Sequence, residues 1–216
     1  MARVSWAVTD TSAVEMTNRV PDWVTPVAWV FIALAVAAAA WIAYDVYARR
    51  NRRDSVAAEV VWITSALYLG PFAVPLYRRY ARPSAPSDQP AAVAGLPGGS
   101  ASAVAHLIGV PLVIASGLTI AGIDLWVMIL VIGAIAILLL TAYERLATNR
   151  SRLGAAFVVA TVTVLAFDVG MGGWMLLLHY NELMPPATDA SFWFLMQLGV
   201  LLGLATGYPV VRRLTT

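Results

Sequence analysis

The chain contains six continuously apolar stretches, roughly Trp23–Tyr47, Ala57–Tyr77, Ala103–Ile120, Leu125–Tyr143, Leu153–His179 and Phe192–Val211. Each comes close to the ~20 residues an α-helix needs to cross the hydrocarbon core of a bilayer. In that solvent every backbone N–H and C=O must be paired within the segment or around a closed barrel. The stretches are apolar throughout instead of alternating in and out, which excludes barrel strands and leaves helices. The expected fold class is all-α, a polytopic transmembrane helical bundle with five or six membrane segments. The composition agrees, with 60% hydrophobic and 12% charged residues and a mean hydropathy of +0.76, values no soluble globular domain requires.

The difference between five and six crossings lies in the arginines. They form four clusters, Arg49/Arg50/Arg52/Arg53, Arg78/Arg79/Arg82, Arg145/Arg150/Arg152 and Arg212/Arg213. The positive-inside rule places such clusters in the cytoplasm. The first two flank a single apolar segment, so six full crossings would put them on opposite faces. If the second segment turns back, all four lie on one side. Gly70, Pro71 and Pro75 interrupt its last third, which suits a kinked or re-entrant element, whereas a plain six-helix bundle remains compatible with the prolines that membrane helices tolerate.

Around these helices the sequence suggests a polar amino-terminal segment (1–22), an amino-terminal helical pair (23–80), a flexible Pro/Gly/Ser linker (81–102) and a four-helix transmembrane domain (103–216). The first 22 residues lack a basic start followed by an apolar core, unlike a cleavable signal peptide. The chain has no cysteine and no lysine. Disulfides, thiolate ligands and Schiff-base chemistry are thereby excluded.

Within the fifth stretch stands Asp168, at a depth where a carboxylate costs about 2.5 to 3.5 kcal/mol and marks a functional or packing site. A step of about 100° per residue places Asp168, Met171, Gly172, Met175 and His179 on one stripe, with Glu182 just beyond the helix end. Thioether and imidazole suit Cu(I), so Met171, Met175 and His179 are weak metal candidates. The same residues also serve as ordinary core filling and an interfacial histidine. No arginine shares the depth of Asp168. A neutral carboxyl is expected, hydrogen-bonded to a hydroxyl such as Thr64, Ser65, Tyr68, Thr161, Thr163 or Thr206. In the last stretch Gly199, Gly203 and Gly207 recur every four residues, a ridge that lets another helix approach closely, and the depth count pairs Gly199 with Gly172. The chain's two histidines, His106 and His179, lie near opposite ends of helices running in the same direction, roughly 30 Å apart along the normal, too far for one haem. No cofactor is expected, nor any nucleic-acid partner.

The run Ser65-Ala66-Leu67-Tyr68-Leu69-Gly70-Pro71-Phe72-Ala73 through Leu76, Tyr77 and Arg78, with Phe167 to Met175 and Phe192-Trp193 through Tyr208, Pro209 and Val210, resembles a family of prokaryotic multi-pass membrane proteins. That family is a domain of unknown function with no established activity. The resemblance implies residence in a prokaryotic cell membrane and a carboxylate at the position of Asp168. It also implies a His and Cys pattern where a helix opens near Ser102. This chain departs there, with Ser100, Ser102 and His106 and no cysteine. The resemblance therefore carries no thiol ligand over.

Two functional classes follow from these residues. One is a non-catalytic integral membrane protein, a subunit or accessory component that packs against partner helices or itself. The other is a small transporter or channel moving protons or a soft cation along Asp168, Met175 and His179. No nucleophile with a placed base is evident, which disfavours an enzyme.

Overall fold

The computed structural model describes residues 19–53, 55–81, 90–120, 122–147 and 152–215. The elements run α1 (Val24–Tyr47), α2 (Val56–Leu69), a single 3₁₀ turn (Gly70–Phe72), α3 (Ala73–Tyr80), α4 (Ala91–Ala94), α5 (Leu96–Ser116), α6 (Asp124–Leu146), α7 (Leu153–Tyr180) and α8 (Ala190–Thr215). The protein is an all-helical membrane bundle. By length and composition six segments are apolar enough to cross, with the second counted as Val56–Tyr80.

That second segment, however, is folded back on itself. The rings of Trp62 and Tyr77 meet edge to face at 5.9 Å, whereas a straight helix would set these residues about 22 Å apart at ~1.5 Å per residue. Arg53 reaches both ends of the segment: its backbone N–H donates to Glu59 Oε1 at 2.9 Å and its guanidinium donates to the carbonyl of Ala81. Tyr77 in turn donates to Asp45 Oδ2 at 3.0 Å, near the end of α1. The reversal occurs at Gly70, whose φ of +57° is open to glycine and strained for other residues. A side chain there would also strike Phe31, 2.9 Å from the position of its Cβ. Pro71 then starts the new turn with its fixed φ.

With α2 and α3 forming a hairpin, every described arginine except Arg19 falls at one end of the bundle. The start of α5, the end of α6, the start of α7 and the end of α8 converge around a small cleft lined by Pro97, Glu144, Val159 and Leu214. Val56, at the start of α2, shares another cleft with Tyr143 and Leu146. At the opposite end stand Asp22, Asp124, Glu182 and Asp189, with Arg19 ion-paired to Glu182 at 2.9 Å. The geometry is that of five long helices and one folded-back hairpin, the shape expected of the five-crossing alternative.

The flexible-linker expectation needs correction over part of its length. Residues 82–89 lie outside the described residues, as do residues 1–18 of the polar amino-terminal segment, but Leu96 to Ser102 form the first turns of α5 and are buried. Pro97 sits in the first turn, where its missing N–H costs nothing, and the small residues allow close packing. A Cβ at Gly99 would lie 2.8 Å from the ring and hydroxyl of Tyr68, and Ser100 donates to the Val61 carbonyl at 3.0 Å. The stretch reads as a linker because it is rich in Gly and Pro; it is a helix because α2 presses against it. The amino-terminal elements are accordingly not a separate pair, since α1 and the hairpin pack on α5 and α8.

The hairpin predicts which side of the membrane each loop faces. In the cysteine-free chain, single cysteines at Arg49, Arg79 and Arg145 should all react with a membrane-impermeant maleimide from the same side. Reaction of Arg79→Cys from the side opposite to Arg49→Cys would mean that the segment crosses.

Candidate functional site

The polar residues of the bundle fall into three groups. The first caps the Arg-rich end. Asp45 is fully buried, accepts hydrogen bonds from Tyr77 Oη and from Asn51 Nδ2 at 3.0 Å, and lies 3.9 Å from the Arg49 guanidinium. Glu59, also fully buried, pairs with Arg52 Nε at 2.7 Å. These carboxylates organise the loop between α1 and α2. The sequence carries a signal for them, since both acids stand beside the arginine run, but an exposed aromatic and arginine belt explains the same composition.

The second group is the α7 stripe, and it divides between two interfaces. Gly133 of α6 is the neighbour of Asp168, whose Oδ2 lies 3.4 Å from where a Cβ on that glycine would stand. Asp168 is only partly buried, and no hydrogen bond or ion pair joins it among the described residues. The expected hydroxyl partners are engaged elsewhere. Thr64 donates to the Val60 carbonyl, Ser65 to Trp62, Tyr68 to Leu96, Thr161 to Phe157 and Thr206 to Gly203, while Thr163 lies against Gly98. Met171 faces the other way, with its sulfur on Gly199 of α8, and Met175 is buried with it. The His179 ring stacks edge to face on Tyr180 at 5.5 Å. Among the described residues no three His, Asp or Glu side chains gather closely enough to hold a metal ion.

The glycine ridge of α8 meets α7, but not at the expected pair. A Cβ on Gly172 would find nothing within 4 Å, and Gly173 likewise faces open space. Gly199 lies under Met171 and Trp174, Gly203 lies under the Phe167 ring, and a Cβ on Gly207 would stand 3.8 Å from the Phe167 backbone. The glycine of α7 that touches α8 is Gly170, where a Cβ would stand 2.6 Å from the Leu202 carbonyl oxygen and 2.7 Å from Thr206 Oγ1. The depth count comes close, but the face of α7 turned toward α8 is centred on Phe167, Gly170 and Met171, with Gly172 turned outward. Trp174 ties the two helices further by donating to the Leu195 carbonyl at 2.8 Å.

The third group has no counterpart among the sites expected from the sequence. His106 is buried in α5; its Nδ1–H donates to the Ser102 carbonyl at 2.8 Å and its Nε2 has no partner among the described residues. Gln197, on the buried face of α8, likewise has no partner for its side-chain oxygen. A buried amide reads in sequence like any polar residue in a membrane helix, and only the packing reveals that it is unsatisfied.

Buried carboxylates at one end, tight glycine contacts within and a carboxylate on a half-open edge define a multi-pass helical membrane protein of the packed-bundle type. The chain belongs to the family described as Domain of unknown function (DUF4396), whose model matches residues 89–216. The match covers α4 to α8. The run around Gly70 and Pro71 lies ahead of the matched residues. Comparison with curated proteins returns no match, and neither does comparison with solved structures.

The glycine contacts give a graded expectation for stability. Gly170→Ala forces a methyl group onto backbone and should destabilise the protein by roughly 1 to 3 kcal/mol, as overpacking does. Gly172→Ala meets nothing and should be neutral, or stabilising by up to about 1 kcal/mol through reduced chain entropy. Thermal unfolding of both variants as monomers, in a detergent strong enough to separate any associated chains, measures the difference, and equal midpoints would contradict the assigned face.

Proposed function

We propose that this protein is a non-catalytic integral membrane component that associates with a further membrane helix, from a second copy or another chain, along the outer edge of α6 and α7. The observation that carries the reading is Asp168. It is half-buried beside Gly133, without a partner among the described residues, next to a surface where Gly172 and Gly173 meet nothing. A carboxyl at this depth costs about 2.5 to 3.5 kcal/mol when left to lipid. A helix laid over the two glycines brings hydrogen-bonding groups within its reach, and small residues are what such contacts use. In this reading the Arg-rich end faces the cytoplasm, as the positive-inside rule favours.

The transport reading draws less support. Met171 lies against Gly199 of α8 while Asp168 lies beside Gly133 of α6, so these two members of the stripe sit on different neighbours, which favours packing over a shared path for a proton or Cu(I).

The test is assembly. In mild detergent the wild-type protein should migrate above its monomer mass, and Asp168→Leu or Gly173→Leu should return it to the monomer with its unfolding midpoint kept within a few degrees. A wild-type protein that is monomeric both in detergent and after cross-linking in its own membrane would overturn the reading. For transport, an Asp168-dependent proton or cation flux in proteoliposomes, lost in Asp168→Asn, would replace it.

A further inference from the structure

The re-entrant hairpin leaves space above its tip. Its ascending arm, α2, has 14 residues and so rises about 21 Å, short of the ~30 Å hydrocarbon core, while α1 and α8 continue past it. Above the tip lies a cleft of about 390 Å³ between α1, α5 and α8, a volume within the range of small-molecule sites. Leu67 forms its floor, and Trp29, Phe31 and Trp193 supply aromatic walls. The one amide in the lining is Gln197, 92% buried by its 8% exposure, with no hydrogen-bond partner for its oxygen among the described residues. It stands seven residues into α8, about 10 Å below the helix start, a depth within hydrocarbon.

These features specify a ligand. Buried polar groups are normally hydrogen-bonded, so an unpaired amide in a cleft that is apolar but for Thr188 and the indole N–H groups calls for a complementary group. The amide oxygen is closed off by protein, so the group a ligand can reach is the amide nitrogen, a donor that matches a ring carbonyl. None of the lining residues is charged, so nothing there recognises a lipid phosphate. A plain alkyl chain leaves the amide unsatisfied. The aromatic walls favour a flat ring, since rings pack edge to face or offset against one another. We infer that this cleft binds the head ring of a membrane-dissolved quinone or quinol, held by a hydrogen bond to Gln197. The cleft is formed by α1, α5, α8 and the hairpin, away from the α6–α7 edge, so the proposal stands or falls independently of the assembly reading.

The experiment uses the full chain in lipid nanodiscs with decyl-substituted benzoquinone and, separately, its reduced quinol. Binding is read by saturable quenching of tryptophan fluorescence and by the amount of probe retained per chain. The expected result is one probe per chain for at least one of the two forms. Gln197→Leu should weaken binding tenfold or more. Val36→Phe, which narrows the cleft from an exposed lining position, should weaken it several-fold, both at an unchanged unfolding midpoint. Decylbenzene, of similar shape without the oxygens, should fail to compete. Absence of saturable binding by both forms, undiminished binding by a folded Gln197→Leu protein, or equal competition by decylbenzene would each overturn the proposal.

Discussion

Arg53 holds the two ends of one apolar segment together, and the rest of the bundle is arranged around that constraint. A helix that enters a bilayer and turns back must expose backbone at its tip, where no water is available to pair it. Here the tip is shielded by protein. The Gly70 N–H closes α2 on the Ala66 carbonyl, the Ala73 N–H bonds back to the turn, and Phe31 of α1 covers the glycine. At the base, Glu59 and Asp45 are completely buried carboxylates: Asp45 is met by Arg49, Tyr77 and Asn51, and Glu59 by Arg52 and the Arg53 N–H at Oε1, while its Oε2 has no partner among the described residues. Removing one member of such a set leaves the other buried and unsatisfied, which is far more costly than the pair itself is stabilising. The hairpin is thus fixed at both tip and base, and α5 packs against its side through Tyr68 and Gly99.

The other half of the molecule is organised by backbone proximity. In α8, Gly199 and Gly203 let Met171 and Phe167 lie across the helix, and Gly170 of α7 brings its own backbone against Leu202. Side chains that face this contact are buried; those one step around α7 are not. The boundary between the two runs beside Asp168, which explains how one helical stripe comes to serve two different surroundings. A carboxyl set at the rim of a packed interface is held in place by its helix while its own hydrogen-bonding capacity stays uncommitted.

Much of this is legible in the sequence because lipid imposes strong rules. The apolar stretches locate α1, α6, α7 and α8 to within a few residues, and the arginine clusters together with Gly70 and Pro71 raise the folded-back segment as one of two topologies. The start of α5 reads wrongly for a physical reason. Pro97, Gly98, Gly99 and Ser100 have loop composition, yet in a membrane small residues are what allow helices to touch, and the pressure of Tyr68 on Gly99 is not visible in one dimension. Counting depth favours Gly172 over Gly170 because it fixes height but not rotation. Gln197 and His106 carry no signal because being unsatisfied is a property of neighbours. The uncommitted state of Asp168 is only half legible, since its lack of a basic partner can be read from the chain and its lack of a hydroxyl partner cannot.

The hairpin also settles a matter of parity. Because residues 56–81 leave and return at the same end, they add no net passage through the bilayer, and α5 to α8 then make an even number of passages that begin and end together. The stretch matched by the family model is such a closed, even unit, while α1 contributes the single odd passage that sends the start of the described chain to the far face. The hairpin could therefore lengthen, shorten or vanish in a relative without inverting any helix that follows it. Variation in this part of the molecule is topologically free, whereas loss of any one of the other passages would turn everything downstream upside down.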